Sequence, residues 1–359
     1  MTVVSSSAFT AAAPEIGVRA FRDWYRSHAV LDAERERLFV RSWALVGTSE
    51  GLATPGQYMT PDVAGVPLLV IRDDEGSLRA FHNLCRHRGI PIIAGSGMSG
   101  RFLTCPYHQW SYRRDGSLAV VPQQDSEFPG IDLAALGLVP ASVDEWAGMV
   151  FVRVAGGGPS LHEAFAGIDD RLKGFTDQSL VEVASVTYEA ACNWKMIVEN
   201  HVDVYHLWYL HQHSLGHLDH QRFDWEALEA NWWSQEPHKR PEEAPSGLFG
   251  LSEIDAGTIG AHLLFPNTMI VTCGAYLATY DAVPIAPDRT RLTLRIRSTP
   301  GADGAPLVAS VRAFLSEDLA ACEQLQIATG SPAFSFGATA LTHEEPVRRF
   351  HSALRSALS

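Results

Sequence analysis

One stretch decides the fold of the second half of the chain, and it reads Asn193-Trp194-Lys195-Met196-Ile197-Val198-Glu199-Asn200-His201-Val202-Asp203-Val204-Tyr205-His206 before it runs on to His211. The pattern predicts a helix, on which Asp203 and His206, three residues apart, share one face. Two imidazoles and a carboxylate can hold a non-haem Fe(II) ion and leave coordination positions open for dioxygen and substrate. A histidine-rich, solvent-exposed helix end is the alternative, since the region also contains His201, His213, His217 and His220.

Length, charge and cysteine content narrow the class of protein. At 359 residues the chain is long enough for one large or two ordinary domains. Its formal net charge of -13 argues against a nucleic-acid or anionic-membrane partner. We find no apolar window of about twenty residues for a membrane span, and no basic segment followed by an apolar run for secretion. The five scattered cysteines do not suggest a disulfide scaffold, so a reducing cytoplasmic compartment is expected.

The first half reads as an all-β module, with short apolar runs separated by Gly, Pro and Asp. Two segments set into it each carry one Cys and one His, namely Cys85-Arg86-His87-Arg88-Gly89 and Cys105-Pro106-Tyr107-His108-Gln109-Trp110. Two thiolates on one iron and two imidazoles on the other are the Rieske form of [2Fe-2S] ligation. A Cys2His2 zinc site is the rival, but zinc fingers pair Cys with Cys and His with His. Buried free cysteines and core histidines would have to produce this fourfold pattern by chance.

The second half is predicted to begin after Gly156-Gly157-Gly158-Pro159, a turn-rich break that suggests a domain boundary. Residues His201–Pro245 lack clear periodicity, which predicts loops that cover a site. The other predicted elements are an amphipathic segment at Leu161–Phe175, a strand at Val181–Tyr188, antiparallel strands within His262–Val283 and Thr290–Arg297, and a helix from about Pro306 to Ile327.

These motifs resemble the catalytic alpha subunit of Rieske non-haem iron, aromatic ring-hydroxylating oxygenases. The resemblance covers nearly the whole chain and lies in Ser42-Trp43, Ala80-Phe81-His82-Asn83, Cys85-x-His87, Cys105-x2-His108, Asn193-Trp194-Lys195, Glu199-Asn200, Asp203-x2-His206-x4-His211 and Glu345-x4-Phe350-His351. One departure is Gln109, where the family usually has Gly. Respiratory-chain Rieske proteins are a poorer match, because they carry an extra Cys in each loop where this chain has Gly89 or Ile90 and Tyr107.

The resemblance implies an α+β fold with two domains. An N-terminal all-β Rieske [2Fe-2S] domain, residues 40–155, would be inserted ahead of a helix-grip catalytic domain, residues 1–39 plus 156–359, in which an antiparallel sheet wraps helices. The implied cluster ligands are Cys85, His87, Cys105 and His108. The implied ligands of a mononuclear Fe(II) are His206, His211 and Asp318, with Glu317 and Glu323 as competitors for the third position.

The resemblance also assigns roles around the iron. Asp203 would bridge His206 and His108 of a neighbouring subunit, which provides a path for electrons and implies a homotrimer. Asn200 would line the site. The predicted substrate pocket comprises Phe265, Met269 and Tyr276 on the sheet and Trp232 or Trp233 from a covering loop, although ordinary core packing is the commoner role of such aromatics.

The implied function is that of the oxygenase component of a Rieske mono- or dioxygenase, which uses O2 to hydroxylate or demethylate a small organic substrate. We expect an aromatic or heteroaromatic substrate, with a quaternary amine or betaine as the alternative. A Rieske electron-transfer protein without oxygenase activity is a further alternative. The chain shows no nicotinamide, flavin or plant-type ferredoxin motif, so electrons from NAD(P)H should arrive through a separate reductase, with or without a ferredoxin.

Overall fold

The computed structural model describes residues 22–176, 179–216, 218–228, 231–239, 260–274, 276–335 and 337–359. Within these ranges the chain forms two compact units. The first unit is Phe39–Ala164, and the second comprises the described residues up to Leu38 and from Phe165 to Ser359. Among the helices of these ranges, none combines the length and the apolar character that a bilayer crossing demands.

The first unit is built from short strands. Its elements are β1 (Ala44–Thr48), β2 (Gln57–Met59), β3 (Asp62–Val63), β4 (Val66–Arg72), β5 (Leu78–His82), β6 (Ser96–Met98), β7 (Leu103–Thr104), β8 (Ser111–Tyr112), β9 (Leu118–Val120), α1 (Gln124–Glu127), β10 (Pro140–Trp146), β11 (Met149–Arg153) and α2 (Leu161–Ala164). One sheet has the order β1-β11-β10-β5-β4-β2-β6, with β3 on β4, and a smaller sheet has the order β7-β8-β9.

Strand β4 provides the buried base on which the loops of Cys85 and Cys105 are held. Its central residues Leu68 to Ile71 are all buried, so the strand packs on both faces. Leu69 and Ile71 belong to the core cluster that contains Cys85 and Cys105, while Leu68 and Val70 belong to a second cluster. The two cysteine loops therefore lie directly on a hydrophobic core.

The second unit combines one long antiparallel sheet with helices. Its elements are α3 (Asp23–Arg26), α4 (His28–Arg37), α5 (Ile168–Thr176), β12 (Val181–Ala190), α6 (Trp194–Val202), α7 (Leu207–Leu210), β13 (Leu218–Leu228), β14 (Trp232–Lys239), β15 (Gly260–Leu264), β16 (Thr268–Cys273), β17 (Tyr276–Ala286), β18 (Arg289–Ser298), α8 (Gly304–Ala328) and α9 (Glu345–Leu358). The sheet order is β12-β18-β17-β16-β15-β14-β13. Helix α6 packs on β15 and β17, and α8 packs on α6 and β12.

Two predictions from the sequence were wrong. The helix expected to continue to His211 ends at Val202, because Asp203 has extended backbone angles (φ -80°, ψ 119°) and its side chain accepts a 2.6 Å hydrogen bond from the Tyr205 N–H. The loops expected in His201–Pro245 are largely strands, β13 and β14, which pair with each other and with β15. Residues 240–245 of that stretch lie outside the described residues.

The start of α6 is fixed by a side-chain cap and a buried ion pair. The side chain of Asn193 accepts the Lys195 N–H at 3.1 Å and donates to the Pro287 carbonyl at 2.7 Å. The Lys195 ammonium, fully buried, lies 2.5 Å from a carboxylate oxygen of Glu34 on α4. The Trp194 indole N–H donates to the other Glu34 oxygen at 2.9 Å. This pairing fixes α6 against the first helices of the chain.

A second buried carboxylate, Glu199, ties α6 to both ends of the described chain. Its Oε1 accepts a 2.7 Å hydrogen bond from the Tyr25 hydroxyl. The same oxygen lies 2.9 Å from Nε2 of His351 on α9. Helix α6 is therefore fixed one turn before Asp203, where the candidate metal centre begins.

Candidate metal centre and cluster loops

Three side chains from α7, its flanks and α8 converge on one point. Nε2 of His206 and Nε2 of His211 lie 3.1 Å apart. Oδ1 of Asp318 lies 2.9 Å from His211 Nε2 and 3.4 Å from His206 Nε2. One donor atom of each residue lies within 4.8 Å of the others, a spacing that can hold a metal ion. Burial raises the pKa of Asp318, but hydrogen bonds with both histidines hold it below its usual value, so the carboxylate is ionised.

The outward-facing nitrogen of each histidine has a carboxylate beside it. Nδ1 of His211 lies 2.6 Å from Oε2 of Glu317, which also accepts a 2.6 Å hydrogen bond from the Ser214 hydroxyl. Nδ1 of His206 lies 3.4 Å from Oδ2 of Asp203. Partners of this kind fix the tautomer and leave Nε2 free to bind a metal. Asp318 therefore faces the histidine pair, whereas Glu317 supports His211 from behind.

The remaining residue predicted near the metal, Asn200, lies half-buried on α6, and its carbonyl accepts the Asp203 N–H at 3.2 Å. Sequence reasoning missed its neighbour His201, whose Nε2 bonds the His262 carbonyl at 3.0 Å. Burial lowers the pKa of His201 to about 4, although the charge of Asp318 acts in the opposite direction. A neutral imidazole therefore lies next to the candidate metal centre. The only signal for His201 in the sequence was its position directly after Asn200.

The two cysteine loops of the first unit have matching backbones. In each loop the residue four positions after the cysteine donates its N–H to the cysteine carbonyl, Gly89 to Cys85 at 2.8 Å and Gln109 to Cys105 at 3.1 Å. Both residues have positive φ, 76° for Gly89 and 59° for Gln109. The loops bring the rings of His87 and His108 to a centroid distance of 4.6 Å. Two buried thiols and two half-buried imidazoles thus lie together at one end of the unit.

Neighbouring groups orient these side chains. The His87 ring stacks on Trp110 at a centroid distance of 4.9 Å. The Tyr112 hydroxyl accepts the Arg86 N–H at 2.9 Å and hydrogen bonds the Cys85 sulfur at 3.4 Å, a contact that sequence reasoning missed. Burial raises the pKa of Cys105, and backbone N–H groups partly oppose this shift. The donor set fits a [2Fe-2S] cluster, whose sulfurs are commonly stabilised by such hydrogen bonds.

Replacing Gln109 with glycine is expected to raise the free energy of unfolding by about 0.5 to 1 kcal/mol, because a left-handed backbone costs most residues ~1–2 kcal/mol and glycine offsets only part of this through chain entropy. Thermal unfolding of the holoprotein measures the change. Gln123→Gly is the matched control, since Gln123 also has positive φ (55°) but lies outside the cysteine loops. A loss of stability in Gln109→Gly alone would show that the glutamine side chain supports the loop.

The sheet residues predicted for the substrate pocket divide between two places. Trp233, Leu263, Met269, Tyr280 and Leu294 are paired across successive strands and share one face, called here the inner face. Tyr276 lies on the same face, since it is four residues from Tyr280 along one strand. The inner face packs toward α6, since the rings of Trp233 and His201 lie 6.5 Å apart. Burial and then the charge of Asp318 raise the pKa of Tyr280 on this face.

Trp232 projects to the opposite face, and its indole N–H donates to the Ala166 carbonyl at 2.9 Å. Together with Phe265 it lines a cavity of about 460 Å³ against α9, to which Trp233 and Leu263 also contribute but Met269 and Tyr276 do not. Sequence reasoning could not choose between Trp232 and Trp233, because the strand alternation of β14 was not recognised. The register places Trp233 on the inner face.

Comparisons with known proteins agree with this geometry. The ring hydroxylating alpha subunit (catalytic domain) family matches residues 177–359, and the Rieske [2Fe-2S] domain matches residues 42–141. In this family the first domain holds the cluster and the second a mononuclear iron.

Three known proteins are similar to this chain. The oxygenase subunit of carnitine monooxygenase from Acinetobacter baumannii is 33% identical over 241 residues, which cover 64% of this chain and 62% of the relative. Choline monooxygenase from Spinacia oleracea is 28% identical over 349 residues, 93% of this chain and 77% of that protein. The third is a solved structure of a quaternary ammonium Rieske monooxygenase, which concerns carnitine oxidation and inter-subunit electron transfer. It superimposes with a TM-score of 0.82 at 26% identity and covers 97% of this chain and 95% of that one. The chain belongs to the family of Rieske ring-hydroxylating oxygenase alpha subunits.

Proposed function

We propose that this chain is the oxygenase component of a Rieske monooxygenase that acts on a small quaternary ammonium compound, with O2 and with electrons from a separate reductase. The observation that carries the proposal is the convergence of His206, His211 and Asp318 within 4.8 Å. These residues would hold the mononuclear iron, and Cys85, His87, Cys105 and His108 would hold the cluster. When bound, the iron offers open positions for dioxygen next to the substrate, and the cluster supplies electrons one at a time.

The quaternary ammonium substrate is supported by the relatives and by the inner face. The similar proteins act on carnitine and choline, which favours the quaternary amine over the aromatic substrate that the sequence had suggested. Trp233, Tyr276 and Tyr280 offer aromatic rings on the inner face, and a ring face attracts a quaternary ammonium group. The formal net charge of -13 also favours a cationic substrate.

Metal and sulfide analysis of the anaerobically purified chain tests the two sites. We expect about three irons and two sulfides per chain, with a Rieske-type EPR signal after reduction by dithionite. Zinc without sulfide would reject the cluster. Two irons per chain would reject the mononuclear site.

Turnover assays with an added reductase then test the substrate class. We expect product from carnitine, choline or glycine betaine and none from benzoate or indole. NADH-driven turnover by the purified chain alone would contradict the need for a reductase. Product from an aromatic compound only would instead favour the aromatic substrate that is expected from the sequence.

We further propose that electrons pass between subunits of a homotrimer through Asp203. Two exposed aromatic residues follow Asp203, since Tyr205 and Tyr209 are 47% and 65% exposed with ring centroids 5.5 Å apart. Tyr107, beside His108, is 56% exposed. Exposed aromatic side chains are typical of protein interfaces. Light scattering should give about three times the chain mass of 39.2 kDa, and a monomer would contradict the proposal.

Replacing Asp203 with asparagine is expected to leave both metal sites loaded but to slow turnover by at least ~10- to 100-fold. The neutral amide removes the negative charge that the Asp203 carboxylate places beside the His206 ring. Reoxidation of the reduced cluster by O2 in the presence of substrate, followed in a single turnover, separates electron transfer from metal loss. Asp125→Asn, at an exposed carboxylate on α1, is the control. An unchanged rate of cluster reoxidation in Asp203→Asn would show that Asp203 is not on the electron path.

A further inference from the structure

Two tyrosine hydroxyls in the second unit are buried without a hydrogen-bond partner among the described residues, those of Tyr280 on β17 and Tyr188 on β12. Tyr280 is only 3% exposed. By contrast, the buried hydroxyl of Tyr25 donates to Glu199 at 2.7 Å. A buried hydroxyl without a partner is costly, and such groups in folded proteins normally acquire one. The two hydroxyls therefore point to an acceptor that binds from outside the chain.

Both tyrosines lie beside the part of α8 that carries Asp318. Strand β12 and helix α8 run side by side, since Gly304 lies against Val183 and Ala184 at one end. At the other end Glu323 accepts the Ala191 N–H at 3.0 Å. Tyr188 lies between these two contacts, and therefore next to the middle of α8.

Tyr280 reaches the same region from the sheet. It is paired with Met269 and Leu294 on the inner face, and its pKa is raised by burial and then by the charge of Asp318, with a smaller effect from Tyr188. On this face Leu294 is paired with both Tyr280 and Val186, and Val186 is two residues from Tyr188. The two tyrosines therefore lie on the same face of the sheet, separated by one strand, and their hydroxyls do not hydrogen bond each other.

Small side chains surround Tyr280. Ala278 and Ala282 flank it on the same face of β17, and both are fully buried. Across the sheet Ala282 is paired with Leu292, which is paired with Tyr188. Alanine at these positions places no bulky side chain beside the Tyr280 ring along its own strand. The phenol of Tyr280 remains a protonated donor at neutral pH, because burial raises its pKa.

We propose that the hydroxyls of Tyr280 and Tyr188 donate to the two oxygens of a substrate carboxylate, so that this chain acts on a quaternary ammonium carboxylate in preference to an amino alcohol. The inference rests on the proposed function and specifies its substrate class. A carboxylate accepts two hydrogen bonds in this geometry, and hydrogen bonds to a charged acceptor are the stronger ones. The single hydroxyl of choline would leave one phenol without a partner.

Calorimetric binding of glycine betaine and of choline to the anaerobic holoprotein tests the proposal. We expect glycine betaine to bind at least ~10-fold more tightly than choline, since one hydrogen bond to a charged group is worth about 1.5 kcal/mol or more. Tyr280→Phe and Tyr188→Phe should each weaken glycine betaine binding by about tenfold and weaken choline binding by less, because choline accepts from one phenol at most and carries no charge there. Tyr58→Phe, whose hydroxyl donates to the Ala94 carbonyl in the first unit, is the matched control.

Thermal unfolding without ligand supplies a second readout that does not depend on turnover. Tyr280→Phe should raise the unfolding temperature, because it removes an unsatisfied buried hydroxyl, whereas Tyr25→Phe should lower it by removing one of the hydrogen bonds to the buried Glu199 carboxylate. Tighter binding of choline than of glycine betaine, or equal losses for both in Tyr280→Phe, would overturn the inference while the proposed function stands. Binding of neither compound to the wild-type protein would overturn the proposed function itself.

Discussion

Replacing Asp318 with alanine is expected to lower the iron content from about three to about two per chain, with sulfide unchanged, and to abolish turnover. The Asp318 carboxylate contacts both histidines of the centre, at 2.9 Å and 3.4 Å, so its loss leaves only two ligands. The effect should exceed the ~10- to 100-fold cost of losing an outer partner. Metal analysis with EPR of the reduced cluster measures it, because the first unit retains its own ligands.

Glu317→Gln is the matched control, one residue away on the same helix. Its carboxylate lies 2.6 Å from Nδ1 of His211, on the side away from the metal centre. An amide oxygen can still accept from this nitrogen, so we expect weaker iron binding, by up to ~10- to 100-fold, rather than an absent site. Loss of iron in Glu317→Gln together with full iron in Asp318→Ala would show that Glu317, and not Asp318, is the third iron ligand.

Replacing Lys195 with methionine is expected to lower the free energy of unfolding by about 3 to 5 kcal/mol, because it leaves the charge of Glu34 buried and unpaired. Both side chains of this pair are 0% exposed, and the oxygen and nitrogen lie 2.5 Å apart. The Lys195 ammonium also lies over the rings of Trp24 and Trp194, at 5.3 Å and 5.4 Å from their centroids. Urea unfolding of the wild-type and variant proteins measures the difference.

The double variant Lys195→Met with Glu34→Leu should recover much of this loss, since removing both charges of a buried pair costs far less than removing one. An exposed ion pair serves as the control. Glu75 is 80% exposed and lies 3.9 Å from Arg79, so Glu75→Gln should change stability by less than about 1 kcal/mol. A double variant as unstable as Lys195→Met would show that packing around the pair, rather than the unpaired charge, causes the loss.

The residues proposed for the two sites could be predicted from the sequence, because the prediction depends on residue types and short spacings. The loops around Cys85 and Cys105 each bring a thiol and an imidazole together within four residues, a distance that one turn fixes. The identity of the acidic residue on α8 was not readable in this way. Consecutive helical residues differ by about 100° in direction, so the choice between Glu317 and Asp318 depends on how α8 is rotated against α7. That rotation is set by tertiary packing.

Two errors in secondary structure have different physical causes, one local and one long-range. Val202 and Val204 flank Asp203, and the carboxylate of Asp203 accepts the Tyr205 N–H, a local bond that competes with the helix. The strands β13 and β14 were predicted as loops because strand pairing depends on partners elsewhere in the chain, here β15. The choice of Trp233 rather than Trp232 for the inner face follows from the same pairing.

The Glu199 hydrogen bonds restrict how this protein can be divided. Glu199 accepts from Tyr25 and lies 2.9 Å from His351, and Lys195 pairs with Glu34. A fragment that starts at Phe165 would contain the histidines and Asp318, but it would expose a buried lysine and an unshared carboxylate in the middle of α6. The segment that contains Tyr25 and Glu34 must therefore be supplied for α6 to fold, either in the same chain or as a separate peptide that could complement the fragment.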